Sequence, residues 1–140
     1  MDDYERLFDT LISTWERTRD GARIAEFYHY PVASLRADGT LASIGTREEA
    51  ARLFQAAIDR FNDDGYRTWG YADFSSRPLG ERAALATLTW IARKDDGGKA
   101  AIRQSYLVVR IDRDLKIVSS VIHLGPPGGP IEGGGADASG

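Results

Sequence analysis

Cysteine is absent from this 140-residue chain. That excludes disulfides and every metal site built on thiolates. Histidine occurs only twice, as His29 and His123, and no HExxH or other metal-ligand spacing is present, so no metal is expected. No Gly-x-Ser-x-Gly elbow occurs, which leaves a serine triad without support. No apolar run approaches the roughly 20 residues that cross a bilayer. Neither sign of charge dominates: 18 basic and 21 acidic residues are intermixed, for a net charge of −3. Without a basic stripe, nucleic acid is not an expected partner. The start, "MDDYERLF", is acidic and lacks the basic-then-apolar layout of a secretion signal, so a cytoplasmic, membrane-free protein is expected.

What is present is a core. Hydrophobic residues make up 42% of the chain, enough for one folded domain. Tyr4, Leu7, Phe8, Leu11, Ile12 and Trp15 recur at steps of three and four, the stripe of an amphipathic helix. Asp2 and Asp3 supply its cap. "RDG", Arg19 to Gly21, breaks it. A short second helix follows, and Pro31 predicts that it ends near His29. "VASLRADGTLASIG" reads as two short strands about a two-residue Asp38-Gly39 turn. In "TREEAARLFQAAIDRFNDDG", Thr46 and Glu49 form a capping box and Gly65 is the stop of a third helix. Four longer strands follow, in "YRTWGYADFSS", "RAALATLTWIARK", "AAIRQSYLVVRID" and "LKIVSSVIHL". Helices early and strands late predict an α+β fold with an antiparallel sheet. The domain is expected over residues 1–124. The stretch 125–140, with seven glycines and three prolines, reads as a flexible tail.

This element order, the "FYHYPV" junction, the "DG…TREEAARLF" approach to the third helix and the run from "AALATLTWIARK" through "SYLVVRIDRD" and "LKI" resemble the nuclear transport factor 2-like superfamily. That superfamily includes SnoaL-like polyketide cyclases, ketosteroid isomerases and scytalone dehydratases. Where it often has Trp, this chain has Leu115. The resemblance implies a cone: three helices packed on a strongly bent, mostly antiparallel sheet, with a pocket at the open end. It also implies a homodimer formed through the sheet.

Several residues then become candidates for a site. His29 reads either as a general acid–base group at the pocket mouth, the role that imidazole chemistry suits, or as a plug at the helix end. Asp73 lies well inside a predicted strand, in "WGYADFSS", and reads as a proton-abstracting base or as an exposed strand residue. Tyr106 offers a hydroxyl to a ligand oxygen, the third catalytic candidate. Tyr28, Tyr30, Trp69, Trp90 and Gln104 are candidate pocket walls, with core or dimer packing as the alternative for the tryptophans. Alternation puts Ile102, Gln104, Tyr106 and Val108 on one face and Arg103, Ser105, Leu107 and Val109 on the other; the pattern alone does not say which is concave. His123 reads as a solvated strand end. Two functions follow. One is binding of a small, mostly apolar organic molecule, with lyase, isomerase or cyclase activity and no cofactor. The other is a non-catalytic dimeric interaction module with a closed pocket. A cavity of about 300 Å³ or more with convergent polar groups favours the first.

Overall fold

The computed structural model describes residues 1–125. The Gly/Pro-rich stretch read as a tail lies outside them, Gly125 excepted. Two helices open the chain, α1 (Asp3–Thr18) and α2 (Gly21–Ala25). A hairpin follows, β1 (Tyr28–Leu35) and β2 (Leu41–Ile44), and then α3 (Arg47–Asp63). The remainder is a meander of β3 (Tyr66–Pro78), β4 (Ala83–Lys94), β5 (Lys99–Ile111) and β6 (Asp114–Ile122). The six strands form one sheet in the order β2-β1-β6-β5-β4-β3. Among the described residues only the β1–β6 pair is parallel, and the other pairs are antiparallel. The expected mostly antiparallel α+β architecture is what the chain adopts.

The helix ends follow their side chains. The Asp2 carboxylate accepts from the Glu5 amide at 2.7 Å and starts α1. Arg19 closes it in the left-handed region, at φ +50°. Asp20 immediately caps α2, accepting from the Ala22 amide at 3.0 Å. Thr46 caps α3, and Glu49 reaches back to the Gly45 amide at 3.0 Å, one residue before the usual target. Gly21 has a further task. A Cβ there would lie 2.6 Å from the Gln55 amide nitrogen and against the Ala51 carbonyl oxygen, so only glycine lets α2 sit this close to α3.

Two local expectations are corrected. The second helix ends at Ala25, not near His29, and His29 belongs to β1. Pairing overrides the local pattern: Tyr28 stands opposite Ile117, and the Ile117 amide donates to the Phe27 carbonyl at 3.0 Å. Pro31 falls where the β1–β6 register shifts, a place that needs no amide donor. The β1–β2 connection is a three-residue loop, Ala37-Asp38-Gly39, rather than a two-residue turn. The Arg36 amide donates to the Thr40 carbonyl at 2.9 Å, and Gly39 takes φ +87°.

The helices pack on the inner face of the sheet around Phe8, Ile24, Phe54, Ile58, Leu88, Val108 and Ile117. Register shifts in β3 and between Leu107 and Val108 in β5 mark where the sheet bends around them. Side-chain and main-chain groups of β3 fix the lie of α1. The Tyr71 hydroxyl reaches Glu5 and Asp9, the Ser76 hydroxyl donates to Asp2, and the Trp69 amide donates to Glu16 Oε2 at 2.9 Å.

Candidate functional site

Between α1, α3 and the inner face of β3–β5 lies an apolar cavity of about 80 Å³, partly open to solvent. Small residues make the space. Ala92 on β4 and Ala100 on β5 face a wall of Trp15, Phe61 and Trp69. These three rings form an aromatic triangle with centroids 6.3–6.5 Å apart. Arg19 holds one corner from outside: its guanidinium sits 4.7 Å from the Trp69 ring centre and donates to Asn62 Oδ1 and to the Arg67 carbonyl.

The other end of the cavity is lined by Tyr28, Trp90, Gln104 and Tyr106. The burial of β5 settles its orientation. Ile102, Gln104, Tyr106 and Val108 are buried against the helices, so this is the concave face. The Trp90 indole donates to the Tyr106 hydroxyl at 2.7 Å, with the rings edge to face. Phe8 packs on Tyr106 at 4.9 Å. Burial pushes the Tyr106 hydroxyl far above the usual tyrosine range, against a smaller opposing effect of the Trp90 donor. Burial does the same to Tyr28, reinforced by Tyr106 and Tyr30. Both tyrosines therefore remain protonated at neutral pH. Burial disfavours the phenolate form at both, and the Tyr106 oxygen serves as the acceptor for Trp90.

Three buried N–H groups have no hydrogen-bond partner among the described residues: Trp15 Nε1, Trp69 Nε1 and Gln104 Nε2. All three residues line this one cavity. The reason at Gln104 is visible in the register. Its cross-strand neighbours are Leu88 and Ile122, whose side chains hold no acceptor. An orphaned buried donor costs about 1–3 kcal/mol, and native structures hold few of them.

The sequence candidates divide accordingly. Tyr28, Trp69, Trp90, Gln104 and Tyr106 come together at the cavity. Tyr30 does not: its hydroxyl donates to the Ala25 carbonyl at 2.8 Å and ties β1 to the end of α2. His29 is an exposed strand residue, which fits neither an acid–base group in the cavity nor a plug at a helix end. Asp73 is exposed as well, at a bulge where it takes φ +54°. That bulge, between Ala72 and Ser75, breaks the alternation and turns Phe74 into the core in its place. His123 lies on the outer sheet face, with Nε2 2.8 Å from the Ser105 hydroxyl. Sequence reasoning missed Trp15 as a site residue, reading it only as a helix stripe. The signal was its membership of the same aromatic set as Trp69. Among the described residues, no group of three or more acidic or histidine side chains is placed to hold a metal. None of the helices there is long and apolar enough to cross a membrane.

The model of the family described as NTF2-like protein (DUF6841) matches residues 2–125. The chain belongs to this family. Solved structures agree with the fold. An NTF2-like protein with a cystatin-like fold from Novosphingobium aromaticivorans superposes with a TM-score of 0.70 at 13% identity, covering 97% of this chain and 84% of that one. A candidate scytalone dehydratase from the same organism gives 0.64 at 14%, covering 86% and 80%. A candidate calcium/calmodulin-dependent protein kinase II association domain from Xanthomonas campestris gives 0.67 at 15%, covering 89% and 87%. At these identities the likeness is one of fold. No curated protein sequence matches at a significant level.

Proposed function

We propose that this NTF2-like domain binds a small, mostly apolar organic molecule in the cavity between α1, α3 and the sheet. The observation that carries the reading is one apolar space lined by three residues, Trp15, Trp69 and Gln104, each of which holds a buried N–H group without a partner. A folded protein tolerates such groups where a ligand completes them. The reading is one of binding without proton transfer. The two histidines and Asp73 lie outside the cavity, and the tyrosines that line it hold their protons. A thermal-shift screen against small aromatic and alicyclic compounds tests it. A compound at about 100 times its Kd adds about 2.7 kcal/mol, several degrees of Tm. A flat response across the library contradicts binding.

One observation favours a second reading. The cavity, at about 80 Å³, is well below the roughly 300 Å³ of ordinary ligand sites. In that reading the domain is an interaction module whose pocket its own aromatic rings fill. Either way, we propose that two copies pair through the outer sheet face. Leu41, Leu35 and Val121 stand side by side across three strands there, and Ser105 on β5 follows Val121 in the same row. Leu41 is 74% exposed and Val121 44%. An apolar ridge of this kind favours burial against a second copy.

A further inference from the structure

A second hollow lies along the N-terminal half of α1 and shares no lining residue with the cavity. It is an open cleft of about 480 Å³ between α1, the junction of α2 with β1, and the β5–β6 turn. That volume falls within the roughly 300–1,000 Å³ of ordinary ligand sites. Asp3, Arg6, Leu7 and Thr10, spaced i, i+3, i+4 and i+7 on one stripe of α1, form its helical wall. Its apolar part is Leu7, Phe27 and Leu115, half-buried residues that pack on the core.

Around this apolar part the charges do not balance. Arg6, Arg110, Arg113 and Lys116 line the cleft together with Asp3, Glu26 and Asp114. Asp3 is shared by two arginines: Oδ1 lies 2.8 Å from Arg6 Nη1, and Oδ2 lies 3.8 Å from Arg110 Nη2. The Glu26 carboxylate pairs at 2.9 Å with Arg47 of α3, which does not line the cleft. Lys116 is half-buried, and its ammonium donates to the Glu26 carbonyl at 2.6 Å, a neutral acceptor. An ammonium has three N–H donors, so two are left for other acceptors. The Arg113 side chain, exposed at the β5–β6 turn, has no partner among the described residues. Four basic side chains therefore have two carboxylates to serve them, Asp3 and Asp114. A cation would add to the excess, and a neutral ligand would leave it as it stands. A dianion such as phosphate would meet two carboxylates at close range. We infer that the cleft binds small amphipathic carboxylic acids, with an alkyl chain or ring on Leu7, Phe27 and Leu115 and the carboxylate at Lys116 and Arg113. This site stands apart from the cavity, and neither reading depends on the other.

Octanoate, octanol and octylamine test the inference on the intact chain, since they share one alkyl chain and differ in charge at neutral pH. Isothermal titration reads affinity, and a ¹H–¹⁵N spectrum reads place. No tryptophan lines the cleft, whereas Trp15, Trp69 and Trp90 line the cavity. Octanoate should therefore move the backbone amides of Phe27, Leu115 and Lys116 and leave the three indole signals in place. It is expected to bind roughly tenfold more tightly than octanol, the worth of one hydrogen bond to a charged group, with octylamine the weakest. In Lys116→Met, which keeps an unbranched chain without the charge, the ratio of octanoate to octanol affinity should fall toward one. Arg113→Gln, at an exposed turn position, should lower the same ratio in part. Equal binding of octanoate and octanol by the wild-type chain overturns the inference of an anion site. An unchanged ratio in both variants overturns the placing of the carboxylate. Octanoate that shifts the indole signals and not those amides sits in the cavity, which overturns the cleft as the site. No binding of octanoate below its micelle-forming concentration overturns the inference altogether.

Discussion

Gln104 is the residue at which stability and function part. Its amide is buried between Leu88 and Ile122 with no partner for Nε2. Removing an unsatisfied polar group in favour of an apolar one of similar size is neutral to stabilising. Gln104→Leu is therefore expected to raise the unfolding free energy of the ligand-free protein by about 1 kcal/mol, read from urea melts. Tyr106→Phe should act oppositely. It removes the acceptor of the Trp90 indole and leaves a further buried donor unpaired, at a cost of about 1–3 kcal/mol. His123 supplies a pH test. Burial, and then the Arg103 charge, hold its imidazole below the usual histidine range. The unfolded chain therefore takes up the proton first as pH falls. The contribution of His123 is complete above about pH 6.5 and is lost as pH drops below that value. The urea midpoint should fall less between pH 8 and pH 5 in His123→Gln than in the wild type. At this scale alternation placed Gln104 and Tyr106 on one face of β5 but did not say that this face is the concave one, and it left Trp69 and Trp90 between pocket wall and packing. The placing of Asp73 was not legible, because a one-residue bulge reverses inside and outside without a mark in the local pattern.

Elements were more legible than residues. The capping residues Asp2 and Thr46 and the stop at Gly65 are chemistry within one turn of chain, and each is used as its side chain dictates. The end of α2 and the placing of His29 were not legible, because β6, nearly ninety residues later, draws Tyr28 into a parallel pair. Gly21 is the element-scale test. It reads in sequence as an ordinary breaker, yet its missing side chain sets the α2–α3 distance. Gly21→Ala should cost about 2–3 kcal/mol through forced separation of the two helices. Chemical denaturation measures this; a change within 0.5 kcal/mol would contradict the close approach.

The whole molecule is a bent sheet with two unlike faces. The concave face, with the helices, builds an apolar cavity walled by aromatic rings, and the convex face carries Leu35, Leu41 and Val121 side by side. Light scattering at micromolar concentration should give about twice the 15.4 kDa of one chain, and Val121→Lys should move that value toward one chain. A monomeric wild type would contradict pairing. The fold was readable from the order of elements, since helix stripes and strand alternation are local signals. The size of the cavity was not, because it depends on how Trp15, Phe61 and Trp69 from three separate elements fill the space opposite Ala92 and Ala100.

The most direct test follows the donors themselves. In a ¹H–¹⁵N spectrum the three indole N–H groups are separate reporters: Trp90 already bonded to Tyr106, Trp15 and Trp69 unpaired. On titration with a small aromatic compound that raises Tm, the indole signals of Trp15, Trp69 and Trp90 and the side-chain amide of Gln104, all from residues that line the cavity, should shift together with one saturating curve. Indole and amide signals that stay in place up to the solubility limit of the probe would contradict a ligand-completed cavity.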